Sequence, residues 1–186
     1  RWARPCAGRG PAGAGALART PCSASKAWEL RANVHALSHC DSALRPDSST
    51  ALCIKDGKIL MAKRNIHPRK GLWTLPAGFM ENAETTKAGA LRETMEETGS
   101  EAKVIMPYTM FSLPHINQIH LFYLADLLDE NFGPTSESME VKLFTKDEIL
   151  WDELAFPTVE RTLKYYLEDS KTDNYIFRDE DITLWK

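Results

Sequence analysis

Apolar and polar positions along the chain acquire a regular rhythm only from about Ser49 onward. "TALCI" and "ILMAKR" flank "KDGK", which predicts a hairpin turning at Asp56-Gly57. "GLWTLPAGF" predicts a short strand that ends at Pro76 in a loop. Residues 84–98 contain no proline and are closed by Gly99, the signature of a helix with a glycine C-cap. "AKVIMPYTMFSLP" and "QIHLFYLADLL" read as strands, the second apolar enough to be central, and "EVKLF" as another. "FPTVERTLKYYLED" opens a second helix at Pro157, because proline suits the first helical turn. Strands and helices in this order predict an α/β domain, a sheet covered by helices. No internal repeat is present.

On a helical wheel, Ala88, Leu91, Met95 and Thr98 share one side, which is expected to pack on the sheet. Glu93, Glu96 and Glu97 gather on the other side. Like charges at this spacing repel by a few tenths of a kcal/mol per pair, so the cluster asks for a reason. Oxygen-only donors suit a hard divalent cation, Mg²⁺ or Mn²⁺, which would also cancel the repulsion. The alternative is a solvent-facing acidic stripe.

Composition narrows the classes. With 43% hydrophobic and 26% charged residues and a net charge of −3, the 186-residue chain is that of a globular protein. A weakly acidic balance gives no case for nucleic acid or an anionic membrane as partner, and no apolar run is long enough to cross a bilayer. The first 28 residues lack Asp and Glu but hold Arg, Ala, Gly, Ser and Pro. Residues 1–45 are therefore expected to be a leader or linker, either a plastid or mitochondrial transit peptide or a cloning remnant on an otherwise cytoplasmic protein. A domain is expected over 46–170 and a C-terminal tail over 171–186. Cys6, Cys22, Cys40 and Cys53 form no CxxC pair and read as free thiols.

The spacing of the charged helix is specific. Gly78, Glu84, Arg92, Glu93, Glu96, Glu97 and Gly99 follow the pattern Gly-x5-Glu-x7-Arg-Glu-x2-Glu-Glu-x-Gly. At ordinary residue frequencies a chance match is on the order of 10⁻⁹ to 10⁻⁸ per start position. This resembles the Nudix box, with Thr94 and Ser100 standing where the family carries bulky apolar residues. The resemblance implies the Nudix fold, an α/β/α sandwich with a mixed β-sheet. It also implies hydrolysis of a nucleoside diphosphate linked to another group. In that reading Glu93, Glu96 and Glu97 and the Gly78 carbonyl are metal ligands, Arg92 orients Glu93, and Glu84 supports the loop. Catalysis is assigned to Glu93, Arg92 and Glu96. The general base is left among the box glutamates, Glu137 and Glu140.

"NIHPRKGLWTLPAGFMENAETT", "FSLPHINQIHLFYLADL" and "WDELAFPTVERTLKYYLED" extend the resemblance to the subfamily of FAD pyrophosphatases and ADP-ribose pyrophosphatase-like bacterial enzymes. Its bacterial members carry a zinc ribbon. Here Cys40 stands at a ribbon position and Leu37 replaces its partner, which implies a degenerate remnant without zinc. Three residues outside the box are candidates for substrate binding. Arg64, near Arg69 and Lys70, could meet phosphate or simply be solvated. Trp73 could stack on a flat ring or belong to the core, and His115 could touch substrate or cap a turn. Tyr108, Phe111 and Phe122 read as core. The function expected is metal-dependent cleavage of FAD or ADP-ribose, by a chain compatible with a homodimer. The alternatives are a hydrolase of oxidised nucleoside triphosphates and a Nudix-fold module without catalysis.

Overall fold

The computed structural model describes residues 47–183. The expectations placed on residues 1–45, including the zinc-ribbon remnant and three of the cysteines, lie outside the described residues. Cys53 is a buried free thiol.

The hairpin forms as expected. Strands β1 (Ser48–Lys55) and β2 (Lys58–Arg64) meet at Asp56 and Gly57, both at positive φ (49° and 73°), the conformation of a tight two-residue turn. The two strands pair only next to that turn, at Ile54↔Ile59 and Lys55↔Lys58, and then diverge. Two short strands fill the gap. β3 (Trp73–Thr74) pairs with β2, and β4 (Ala77–Phe79) pairs with the start of β1 at Ser48, Ser49 and Thr50. The single strand expected here is split because Leu75 turns into the core and Pro76 has no N–H for a ladder.

Helix α1 (Thr86–Thr98) follows, then β5 (Ala102–Leu113), β6 (Gln118–Leu127), β7 (Ser138–Phe144), helix α2 (Pro157–Asp169) and β8 (Arg178–Asp181). The strands form one mixed sheet in the order β3-β2-β1-β6-β5-β8, with β4 on β1 and β7 on β2. β6 is central, parallel to β1 and antiparallel to β5. β8 lies within the span expected as a tail and pairs in parallel with β5.

Alternation along the strands builds two cores, one per face. Leu52, Ile59, Met61, Phe111 and Phe122 point to one side, where Val159, Leu163 and Tyr166 of α2 cover them. Ala51, Cys53, Leu60, Ala62, Tyr123 and Ala125 point to the other, where Ala90 of α1 joins them. The result is the expected α/β/α sandwich, with Tyr108, Phe111 and Phe122 wholly buried. The two faces differ in grain, since large aromatics fill the α2 side and small residues pave much of the floor under α1. Among the described residues no helix is long and apolar enough to cross a membrane.

The orientation of α1 corrects the wheel. Its buried residues are Gly89, Ala90, Thr94, Glu97 and Thr98, while Ala88 is exposed and Met95 is 41% exposed. The arc occupied by Glu93 and Glu97 thus faces inward. A smooth floor of Ala and Cys fits the small side chains of Gly89 and Ala90 and offers no pocket for Met95. The helix also starts later than expected, with Thr85 as N-cap accepting the Ala88 N–H (3.2 Å), so Glu84 precedes it. Gly99 takes the left-handed C-cap (φ 78°) and returns its N–H to Met95 O (2.8 Å).

Candidate active site

The site forms where α1 packs against β1 and β4. Thr94 and Ser100, the two polar departures from the box, are fully buried. Thr94 spends its hydroxyl on Ala90 O of the preceding turn (2.8 Å), and Ser100 Oγ has no partner in the structure. Small side chains let the helix lie close, which brings its inward carboxylates against the β4 backbone.

Arg92 is the hub. Its Nε and Nη2 grip the two Glu84 oxygens (3.1 and 2.8 Å), and Nη1 reaches Glu93 (2.7 Å) and Glu96 (2.9 Å). Nη2 also donates to Phe79 O (3.2 Å), tying the helix to β4. The two-point grip fixes a planar guanidinium in orientation as well as position. Glu84 is held well below the usual carboxylate range by Arg92 and by the Glu81 N–H, so it stays charged as the anchor. The same carboxylates hold Arg92 firmly protonated.

Glu93 and Glu97 have a different environment. Glu97 is 4% exposed and accepts the Ala77 N–H (3.0 Å). Burial pushes its pKa up to about 7 against that hydrogen bond, and the neighbouring charges of Glu93 and Glu137 add to the rise. Burial likewise raises Glu93 despite its contact with Arg92. Gly78 lies against the Glu93 carboxylate so closely that a β-carbon there would overlap it. Among the described residues Glu97 makes no salt bridge, while Glu93 and Glu96 are turned toward Arg92. No three acidic, His or Cys side chains among the described residues are gathered as a finished cage.

The donor set nonetheless fits a divalent cation. Two inward carboxylates beside the Gly78 backbone offer hard oxygens only. Glu96, bound to Arg92 and more than half exposed, is the outermost of the expected ligands.

Residues outside the box separate into two groups. Arg64 is half-buried at the same site, feels the charges of Glu97 and Glu137, and packs its guanidinium over Phe156 (5.2 Å). Glu137 acts electrostatically on Arg64, Glu93 and Glu97 alike, which singles it out from Glu140 as the acid facing the cluster. Trp73, by contrast, is a core residue. It is 4% exposed and edge-on to Phe144 (4.7 Å), which leaves little of its ring free to stack on a bound one. His115 is exposed in the turn between β5 and β6. Sequence reading missed Thr135 and Asn65, which bind the loop carrying Glu137. Polar residues between strands give no periodic signal, and only the Thr-x-Glu spacing hints at a hydroxyl accepting a backbone N–H two residues on.

Residues 44–167 match the NUDIX domain family. An ADP-ribose pyrophosphatase of Methanocaldococcus jannaschii is 32% identical over 119 residues, covering 61% of this chain and 68% of that protein. The NAD-capped RNA hydrolase NudC of Edwardsiella ictaluri is 31% identical over 96 residues, so the chain spans only 37% of that relative's length. The crystal structure of a NUDIX hydrolase from Nitrosomonas europaea superposes with a TM-score of 0.71 at 40% identity, covering 76% of this chain and 81% of that one.

Proposed function

The chain belongs to the NUDIX hydrolase family, and from that premise we propose that it is a divalent-cation-dependent pyrophosphohydrolase of a dinucleotide or nucleotide-sugar. One observation carries the reading: a partly buried carboxylate, Glu93, and a buried one, Glu97, are held beside a glycine backbone, and among the described residues no salt bridge neutralises Glu97. Glu93 and Glu97, with the Gly78 carbonyl, would hold Mg²⁺ or Mn²⁺. When bound, such a cation neutralises the diphosphate and makes water a better nucleophile.

The chain's own groups do the rest. Arg92 aims Glu93 and its charge opposes the rise in pKa that partial burial gives that carboxylate. Arg64 offers a fixed positive charge to a phosphate oxygen. Glu137 is the proposed general base. It takes a proton from water as the new oxygen–phosphorus bond forms, the bridging phosphorus–oxygen bond breaks, and one phosphate monoester leaves with the bridging electrons.

Within the class, ADP-ribose is supported by the archaeal relative, and FAD by the resemblance of the segments around His115 and Pro157. ADP-ribose would give AMP and ribose 5-phosphate, and FAD would give FMN and AMP. Because Trp73 is buried, it offers no argument for a flat flavin. A panel of ADP-ribose, FAD, NAD and oxidised nucleoside triphosphates, assayed with Mg²⁺ and with Mn²⁺, tests the reading. Dinucleotide cleavage that stops on chelation is expected, and Glu93→Gln should lower it by roughly 100-fold or more at unchanged circular dichroism. Preferential cleavage of an oxidised triphosphate by more than about tenfold in kcat/KM, about 1.4 kcal/mol, would replace the dinucleotide reading with a pool-sanitising one.

A further inference from the structure

The loop before β7 is fastened to the end of α1 by two hydrogen bonds, one donated by a backbone N–H and one by a side chain outside the box. Gly133 N–H donates to Thr98 O (3.0 Å), and Thr135 Oγ1 donates to Glu97 O (3.3 Å). These carbonyls belong to the last turn of the helix, whose oxygens have no partner within it. The same Thr135 hydroxyl accepts the N–H groups of Glu137 (3.2 Å) and Ser138 (3.2 Å), while Thr135 N–H returns to Ser138 O (2.9 Å). One donor and two acceptor sites are all that a hydroxyl has, and here all are used. From the other side, Asn65 donates its backbone N–H to Glu137 O (2.7 Å) and its Nδ2 to Ser136 O (3.0 Å).

We propose that Thr135 is a positioning residue that couples Glu137 to the backbone of Glu97, so that the acid outside the box keeps a fixed distance from the carboxylates on the helix. Asn65 braces the same loop from just beyond the end of β2. The coupling is backbone to backbone, through one hydroxyl, and so does not depend on how the long glutamate side chains flex. Thr135 acts through Glu137 and touches neither substrate nor cation. This inference rests on the pyrophosphohydrolase reading.

The test compares Thr135→Val, which keeps shape but loses the hydroxyl, with Thr135→Ser, which keeps the hydroxyl, using ADP-ribose and Mg²⁺. Thr135→Val should lower kcat by about 10- to 100-fold, the scale of a modest misplacement of a reacting group, with KM within about threefold. Thr135→Ser should restore kcat to within about threefold. In a Glu137→Gln background, the added Val substitution should change kcat by less than about twofold. Should Thr135→Val not fold, Asn65→Ala must show the same loss of kcat and the same dependence on Glu137. Wild-type kcat in Thr135→Val, failed rescue by Ser, or a full additional loss in the Glu137→Gln background would each overturn the coupling. A wild-type protein that cleaves no diphosphate would overturn the functional reading first, and this inference with it.

Discussion

Gly78 shows how little a site of this kind leaves to spare at the residue scale. Its backbone is not in the left-handed region, so flexibility is not the reason for glycine there. Space is the reason, because a β-carbon would enter the volume of the Glu93 carboxylate. That carboxylate is the far end of a flexible side chain and can move aside at small cost to the fold. Gly78→Ala should therefore leave stability within about 1 kcal/mol yet lower kcat/KM by at least about tenfold and raise the Mg²⁺ concentration needed for activity. A cation titration of turnover beside a melting curve checks both halves. Wild-type turnover in the variant would mean that Glu93 does not work from the position seen against Gly78.

At the scale of elements, α1 carries the main lesson about reading the sequence. The spacing of its charged residues was legible, and so were its C-cap at Gly99, the Asp56-Gly57 turn and Pro157 at the start of α2, because each is local chemistry with a strong preference. Its rotation was not legible. A wheel ranks residues by polarity and turns Met95 inward, but the sheet beneath is made of Ala51, Cys53, Ala62 and Ala125, and Glu97 turns inward instead, where it accepts the Ala77 N–H. Packing here overrides the polarity pattern, and the floor that permits it comes from strands distant in sequence. Strand β8 was missed for a related reason: "RDED" has no apolar face and pairs only because β5 offers an edge. The observed rotation makes a discriminating prediction. Ala90→Leu should cost about 1–3 kcal/mol by overpacking, whereas Met95→Gln should change stability by less than about 0.5 kcal/mol, as read from urea unfolding. The opposite ranking would restore the face that the wheel suggested.

Across the whole molecule, the last strand is secured by a polar clamp. Asp169 at the end of α2 takes a two-point grip from Arg178 (2.6 and 2.7 Å) and the Tyr108 hydroxyl (2.8 Å), and Arg178 lies over the Tyr165 ring (4.5 Å). Arg178 holds the Asp169 pKa below its ordinary value. A depressed carboxylate pKa means the unfolded chain binds the proton more readily. The clamp's contribution is thus fully present above about pH 4, the unfolded value, and is lost as pH falls through the lower folded value. Arg178→Ala should destabilise by about 2 kcal/mol at pH 7, by leaving Asp169 covered and short of partners. The difference from wild type should shrink only below about pH 4, which unfolding curves at several pH values would reveal. A gap that closes already between pH 7 and pH 5 would assign the loss to another group.

The divergence of β1 from β2 has a consequence for how the protein fails. β4 hangs on the first residues of β1, and β1 is bound along its entire opposite edge to β6. The ground under Glu93 and Glu97 is therefore β4, carried on a strand of the innermost ladder of the sheet. Such a ladder opens only when the domain opens, so heat should not disarm the chemistry first and melt the chain later. Inactivation and collapse of the fold become a single event.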